Sequence, residues 1–139
     1  METSIGFTGT RDGMSKDQVR LVRKILERYR GTNFHHGDCV GADAQAHDMA
    51  SDLNYSIWIH PGDNDLKRAH KRSHYIYQVK SSLHRNKDIV NSSQLLIATP
   101  KGPEMRRSGT WFTIRYARKQ LRTTVIIYPD GNYHWSVHE

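Results

Sequence analysis

Short apolar runs alternate with longer stretches of mixed character along this chain. The runs cover residues 4–8, 33–36, 56–60, 94–99 and 123–128, and their length and branched residues predict strands. The last two, QLLIAT and TTVIIY, are apolar at successive positions rather than at every second one. That is the pattern of a sheet covered on both faces. Between the runs, Ser15-Lys16-Asp17-Gln18 reads as a capping box, after which Val19, Val22, Ile25, Leu26 and Tyr29 share one helical face and Gly31 supplies a stop. A second helix is predicted over 42–53, with Ala42, Ala46, Met49, Ala50 and Leu53 inward. A polar helical stretch, in one piece or two, is predicted over 73–90, and a last helix over 110–121 with Ile114, Ala117 and Leu121 inward. Strands alternating with helices predict an α/β domain over residues 1–139, built on a mostly parallel sheet of about five strands flanked by helices, with right-handed crossovers.

Two segments break the alternation. Residues 60–72 (HPGDNDLKRAHKR) read as a long polar loop. Residues 101–108 (KGPEMRRS) fall between a strand end and a helix start, where α/β proteins bind ligands. Pro129-Asp130-Gly131-Asn132 is a turn, and 133–137 is a candidate edge strand. Composition then narrows the class. The 139 residues are 36% hydrophobic, enough for one core, and carry a formal charge of +7. No apolar run approaches the roughly 18 residues of a membrane helix, and residues 1–10 do not read as a signal peptide. Cys39 is the single cysteine, so no internal disulfide forms and a cytoplasmic location is expected.

Three loops carry candidate chemistry. Gly6-Phe7-Thr8-Gly9-Thr10-Arg11 runs from a strand into a glycine-containing loop, where Gly9 admits an anion and Thr10 and Arg11 add donors. Taken alone it reads better as an ordinary strand-to-helix turn. His36-Gly37-Asp38-Cys39-Val40-Gly41-Ala42-Asp43 again joins a strand to a helix, and Asp43 reads either as a helix cap or as a partner for a ribose hydroxyl. Ser108-Gly109-Thr110, after Arg106 and Arg107, has the hydroxyl, glycine and free amides of a phosphate seat. All three fall on the same sheet edge, and together they point to a phosphorylated ligand. His70 and His74 have a helical chelating spacing and His35 and His36 are adjacent, but no third ligand falls at a diagnostic distance, so no metal or other cofactor is expected. Lys67, Arg68, Lys71, Arg72, Arg115, Arg118, Lys119 and Arg122 read as solvated faces or as phosphate contacts to nucleic acid.

On these motifs (GFTGTR, HHGDCVGADAQAHDMA, HRNKDIVNSSQLLIATP, SGTWFTIRYARK and VIIYPDG) the chain resembles the SMF/DprA–LOG (SLOG) superfamily, in particular its small single-domain members from phages and bacteria. The resemblance implies a Rossmann-like three-layer sandwich that binds a nucleotide or nucleotide-derived ligand at the carboxyl edge of its sheet, for sensing or sequestration. Gly9, Thr10, Gly37, Gly41, Ser108, Gly109 and Thr110 would contact phosphate and ribose, Arg11 and Arg85 would neutralise charge, and Asp43 would orient a sugar hydroxyl. In the Lonely Guy phosphoribohydrolases of this superfamily an arginine and a glutamate matter for cleaving the base from the ribose. Arg85 matches the arginine, whereas Thr113 stands where the glutamate is expected. A hydrolase reading therefore needs Glu104 or Asp43 to supply the carboxylate. Binding of single-stranded nucleic acid, as in the DprA branch, ranks third. The resemblance also implies a homodimer or tetramer, and no membrane association.

Overall fold

The computed structural model describes residues 3–29 and 32–137. A seven-stranded sheet runs in the order β4-β3-β2-β1-β5-β6-β7, formed by β1 (Ser4–Gly9), β2 (Asn33–His36), β3 (Ser56–Ile59), β4 (Tyr75–Ile76), β5 (Leu95–Thr99), β6 (Thr123–Ile127) and β7 (Tyr133–Ser136). All pairings are parallel except that of β6 with β7. The four helices are α1 (Lys16–Arg28), α2 (Ala42–Asp52), α3 (Ser82–Asn91) and α4 (Gly109–Lys119).

The doubly apolar strands behave as their pattern predicts. Leu95 and Ile97 of β5 pack in the core with α1 and α2, through Val22, Leu26, Ala46 and Ala50. Their neighbours Leu96 and Ala98 face the other way, toward Ile89 and Ala117 in one cluster and Trp111 and Ile114 in another. Residues Val125, Ile126 and Ile127 of β6 alternate in the same manner. Ala42, Ala46 and Ala50 are fully buried, so α2 lies close on the sheet. Helix α1 starts at a complete capping box between Ser15 and Gln18. The buried Gln18 amide also donates to the carbonyls of Pro100 and Ile127, fastening α1 to the ends of β5 and β6.

The sheet has seven strands rather than about five, because two edge strands add to the central set. Edge strand β7 covers most of the predicted 133–137. Strand β4 lies where the polar pattern predicts helix from residue 73. Tyr75 stacks on Trp58 with ring centroids 4.0 Å apart, which holds this segment against β3, and helix begins only at Ser82, capped by Ser81. His35 in turn stacks on Trp58 and His60 on Tyr77. Aromatic rings thus pave this part of the sheet, while α3 and α4 pack on β1, β5 and β6. Leu121 is the second correction. It lies past the C-cap Gln120 at a φ of 56° and is 65% exposed instead of facing inward. The 60–72 loop contains a 3-10 turn, Asp65–Lys67. The predicted stop at Gly31 lies outside the described residues. Among the described residues no helix is long and apolar enough to cross a membrane.

Candidate functional site

The strand order reverses between β1 and β5, and open α/β sheets bind ligands outside the carboxyl ends of strands at such a switch point. A cleft of about 400 Å³ opens there. Gly9, Thr10, Arg11, Gly37, Asp43, Arg85, Ser108, Gly109 and Thr110 all line it. Gly41 is not among the lining residues. With a φ of 87°, it begins α2 and lets the Arg11 backbone pass, where a Cβ would come within 2.8 Å of the Arg11 Cα. Gly9 is also a packing glycine, since a Cβ there would meet Ala42 Cβ at 2.6 Å.

The loop from β2 to α2 spends its amides inside the protein. Gly37 and Cys39 N–H both donate to one oxygen of Asp43, at 3.2 and 3.1 Å. Asp38 N–H donates to His36 Nδ1, Val40 N–H to the Lys67 carbonyl and Ala42 N–H to the Thr10 carbonyl. Asp43 is therefore neither a cap of α2 nor free on both oxygens; it ties the loop together. Arg85, from α3, completes the knot. Its Nη1 donates to the Gly37 carbonyl at 2.6 Å and to the His60 carbonyl at 3.1 Å. Its Nη2 lies 3.7 Å from Cys39 Sγ, and its Nε is buried with no partner.

The start of α4 is built differently. Ser108 caps the Trp111 amide through its hydroxyl, and Thr113 donates its hydroxyl to the Gly109 carbonyl. Gly109 and Thr110 are the first two residues of the helix, so their amides have no intrahelical acceptor, and both residues line the cleft. A Cβ at Gly109 would find nothing nearer than Asn86 Nδ2 at 4.0 Å. Thr113 is fully buried. Glu104 does not turn inward. It pairs with Arg115 at 3.0 Å and approaches Arg118 at 4.0 Å, and it is not among the cleft residues.

The cleft also takes in Ser82, Asn86 and Ile89, which the sequence reading does not single out. Their spacing with Arg85, at one helical face, was the available signal. Lys67, Arg68, Lys101 and Arg107 line it as well, so part of the basic character is a site wall. His70 and His74 lie outside any helix, which removes their chelating register, and His70 pairs with Asp65 at 3.3 Å. Four buried histidines pair with one another, His35 Nδ1 to His60 Nε2 and His36 Nε2 to His47 Nδ1, each at 2.9 Å. Because His36 Nδ1 accepts from Asp38, its proton sits on Nε2 and is donated to His47. Among the described residues no group of three or more His, Cys, Asp or Glu is arranged to hold a metal ion.

Burial governs the titrations. It pushes His35 down to about 4 and His60 to about 3. It also holds His36 well below its usual value, with the neighbouring histidines and Arg85 adding to the effect. Burial raises Asp43 to about 6, opposed by its amide hydrogen bonds and by Arg85. Burial likewise raises the Cys39 thiol to about 11, helped by Asp43 and opposed by Arg85.

DNA processing protein A from Streptococcus pneumoniae superposes with a TM-score of 0.69 at 21% identity, over 91% of this chain and 50% of that one. The chain thus spans half the length of that relative. The molybdenum cofactor binding protein of Rippkaea orientalis gives 0.65 at 18% identity, over 92% of this chain and 77% of the other. The structural-genomics target TM1055 gives 0.59 at 13%, over 89% and 72%. The chain shares its fold with these structures. No family model and no curated protein matches the chain.

Two outcomes test this site. The unfolded chain protonates its histidines near pH 6.5, whereas His35, His36 and His60 stay neutral when folded until well below that. Stability present above pH 6.5 is therefore lost on acidification, at about 1.4 kcal/mol per pH unit for each such group. Asp43, whose folded pKa is raised, works in the opposite sense between about pH 6 and 4 and offsets one histidine. Urea midpoints measured from pH 7 to pH 5 are expected to fall steeply; a flat profile contradicts neutral buried pairs. Gly37→Ala places its Cβ 2.5 Å from Arg85 Nη1 and is expected to cost about 1–3 kcal/mol. Gly109→Ala is expected to stay within about 0.5 kcal/mol of the parent; equal losses in the two, read by denaturant titration, would remove the knot from the account.

Proposed function

We propose that this domain binds a nucleotide or nucleotide-derived ligand, for sensing or sequestration, in the cleft at the carboxyl edge of its sheet. The observation that carries the reading is the start of α4, where two adjacent amides without protein acceptors meet a cleft lined by six basic side chains. A helix N-terminus with free amides favours an anion, and phosphate is the anion its geometry suits best. Ser108, Gly109 and Thr110 seat the phosphate. Thr10 and Arg11 stand on the opposite side of the switch point, and the anchored loop at Gly37 and Asp43 walls the sugar side. The likeness to a protein named for binding the molybdenum cofactor supports a small-molecule role.

Gly109→Val tests the reading, because its Cβ meets nothing nearer than Asn86 Nδ2 at 4.0 Å and its branched side chain stands beside the helix-start amides. Calorimetry against a panel of nucleotides is expected to show at least about a tenfold loss of affinity, ~1.4 kcal/mol, with an unchanged unfolding midpoint. Undiminished binding in that variant counts against the site. Native mass spectrometry of freshly purified protein reads any nucleotide-sized mass that co-purifies, and with it the proposed dimer or tetramer.

One observation favours a second reading, N-glycosidic hydrolysis. Asp43 lies at the cleft and is held part-protonated near neutral pH, as a residue exchanging a proton needs to be. Its Oδ2 accepts two amides, so Asp43→Asn retains an acceptor for them and is expected to bind nucleotide but release no free base. Release of base by the parent and by the variant at equal rates removes Asp43 from the chemistry; no release from the parent leaves the binding role alone.

A further inference from the structure

The charges around the cleft do not balance, and the excess says how many phosphates the ligand carries. Three of the basic side chains there have an acidic counterpart. Arg68 bonds Asp38 through Nε and Nη2, at 3.2 and 3.1 Å. Lys101 lies 3.9 Å from Asp12. The Arg85 guanidinium lies in the field of Asp43, across the carbonyl and amide of Gly37. The other three, Arg11, Lys67 and Arg107, line the cleft and form no ion pair with the described residues. They come from three separate segments: the loop after β1, the 3-10 turn and the loop before α4. All three are exposed, and no carboxylate in the cleft is left over for them.

A single phosphate at the α4 amides brings at most about two negative charges. That matches one helix start and one cation, and leaves the cations of the other two segments unmatched in the same cleft. Like charges gathered at one concave site raise the local potential and favour a polyanion. Resting on the site reading above, we propose that the ligand is a nucleotide with a chain of two or more linked phosphates, a nucleoside diphosphate, triphosphate or pyrophosphate-bridged dinucleotide, rather than a monophosphate. One phosphate sits on the Gly109 and Thr110 amides beside Arg107, and the chain continues toward Arg11 and Lys67. The base-bearing end then lies where the cleft is walled by Ile89 and Asn86 of α3.

The test is calorimetric titration of the intact chain, at physiological ionic strength with chelator present, using the 5′-mono-, di- and triphosphates of adenosine, guanosine, cytidine and uridine. For the base that binds, the di- or triphosphate is expected to bind at least tenfold more tightly than the monophosphate. Its affinity is also expected to fall more steeply with added salt. In Lys67→Ala/Arg107→Ala the ratio of diphosphate to monophosphate affinity is expected to drop toward one; both positions are exposed, and the unfolding midpoint reports that the fold is kept. A monophosphate that binds as tightly as the longer chains, with binding still lost in Gly109→Val, overturns this inference and leaves the site standing. Binding of any of them that survives Gly109→Val, or binding of none, overturns the site reading itself.

Discussion

A buried guanidinium holds this domain's ligand edge together. Arg85 reaches from α3 to the carbonyls that end β2 and β3, and it does so through space that only a glycine at position 37 leaves open. Unpaired carbonyls at buried strand ends are costly, and here one planar side chain satisfies two of them. On the far side of the same loop Asp43 gathers the amides that the turn would otherwise strand. The two opposite charges act through the loop between them, so neither is buried without compensation. Cys39, 3.7 Å from Arg85 Nη2 and donating its amide to Asp43, is positioned by that arrangement.

It follows that the cleft has two halves of different character. In the half made by β2, α2 and Arg85 of α3, the loop amides, Asp43 and Arg85 Nη1 are bonded within the protein, and Arg85 Nε is left without a partner. The half made by the loop after β1 and by α4 keeps free amides and unpaired cations. The anion binding proposed above falls to the second half, and shape to the first. The fold shared with DNA processing protein A and the molybdenum cofactor binding protein accounts for where the cleft lies, while the difference between its halves comes from particular residues of this chain.

The fold was legible where periodicity was strong. QLLIAT and TTVIIY announce strands covered on both faces, and Ser15 with Gln18 announces the start of α1, because these signals are local. Strand β4 was not legible: two residues leave no period, and Tyr75 is held by a ring on β3 that is distant in sequence. Leu121 misleads because it continues an apolar spacing past the point where the backbone turns to positive φ. At the site, the glycines and Arg85 stand out in sequence, but their division of labour does not. Gly37, Gly41 and Gly109 look alike as letters, yet the first admits a guanidinium, the second a backbone and the third open space. Glu104 is the converse case, since Arg115, nearly two helical turns into α4, supplies the nearer charge.

Residues 101–108 contribute little to what keeps the chain folded. Apart from Gly102 and the capping Ser108 they are exposed, and their side-chain pairing within the protein is confined to Lys101 and Glu104 at the surface. The anchored half of the cleft shares none of its internal bonds with that stretch. Recognition and foldability are thus separable in this architecture. Substitutions at these eight loop positions change one wall of the cleft while the scaffold beneath it does not have to be re-stabilised at each step.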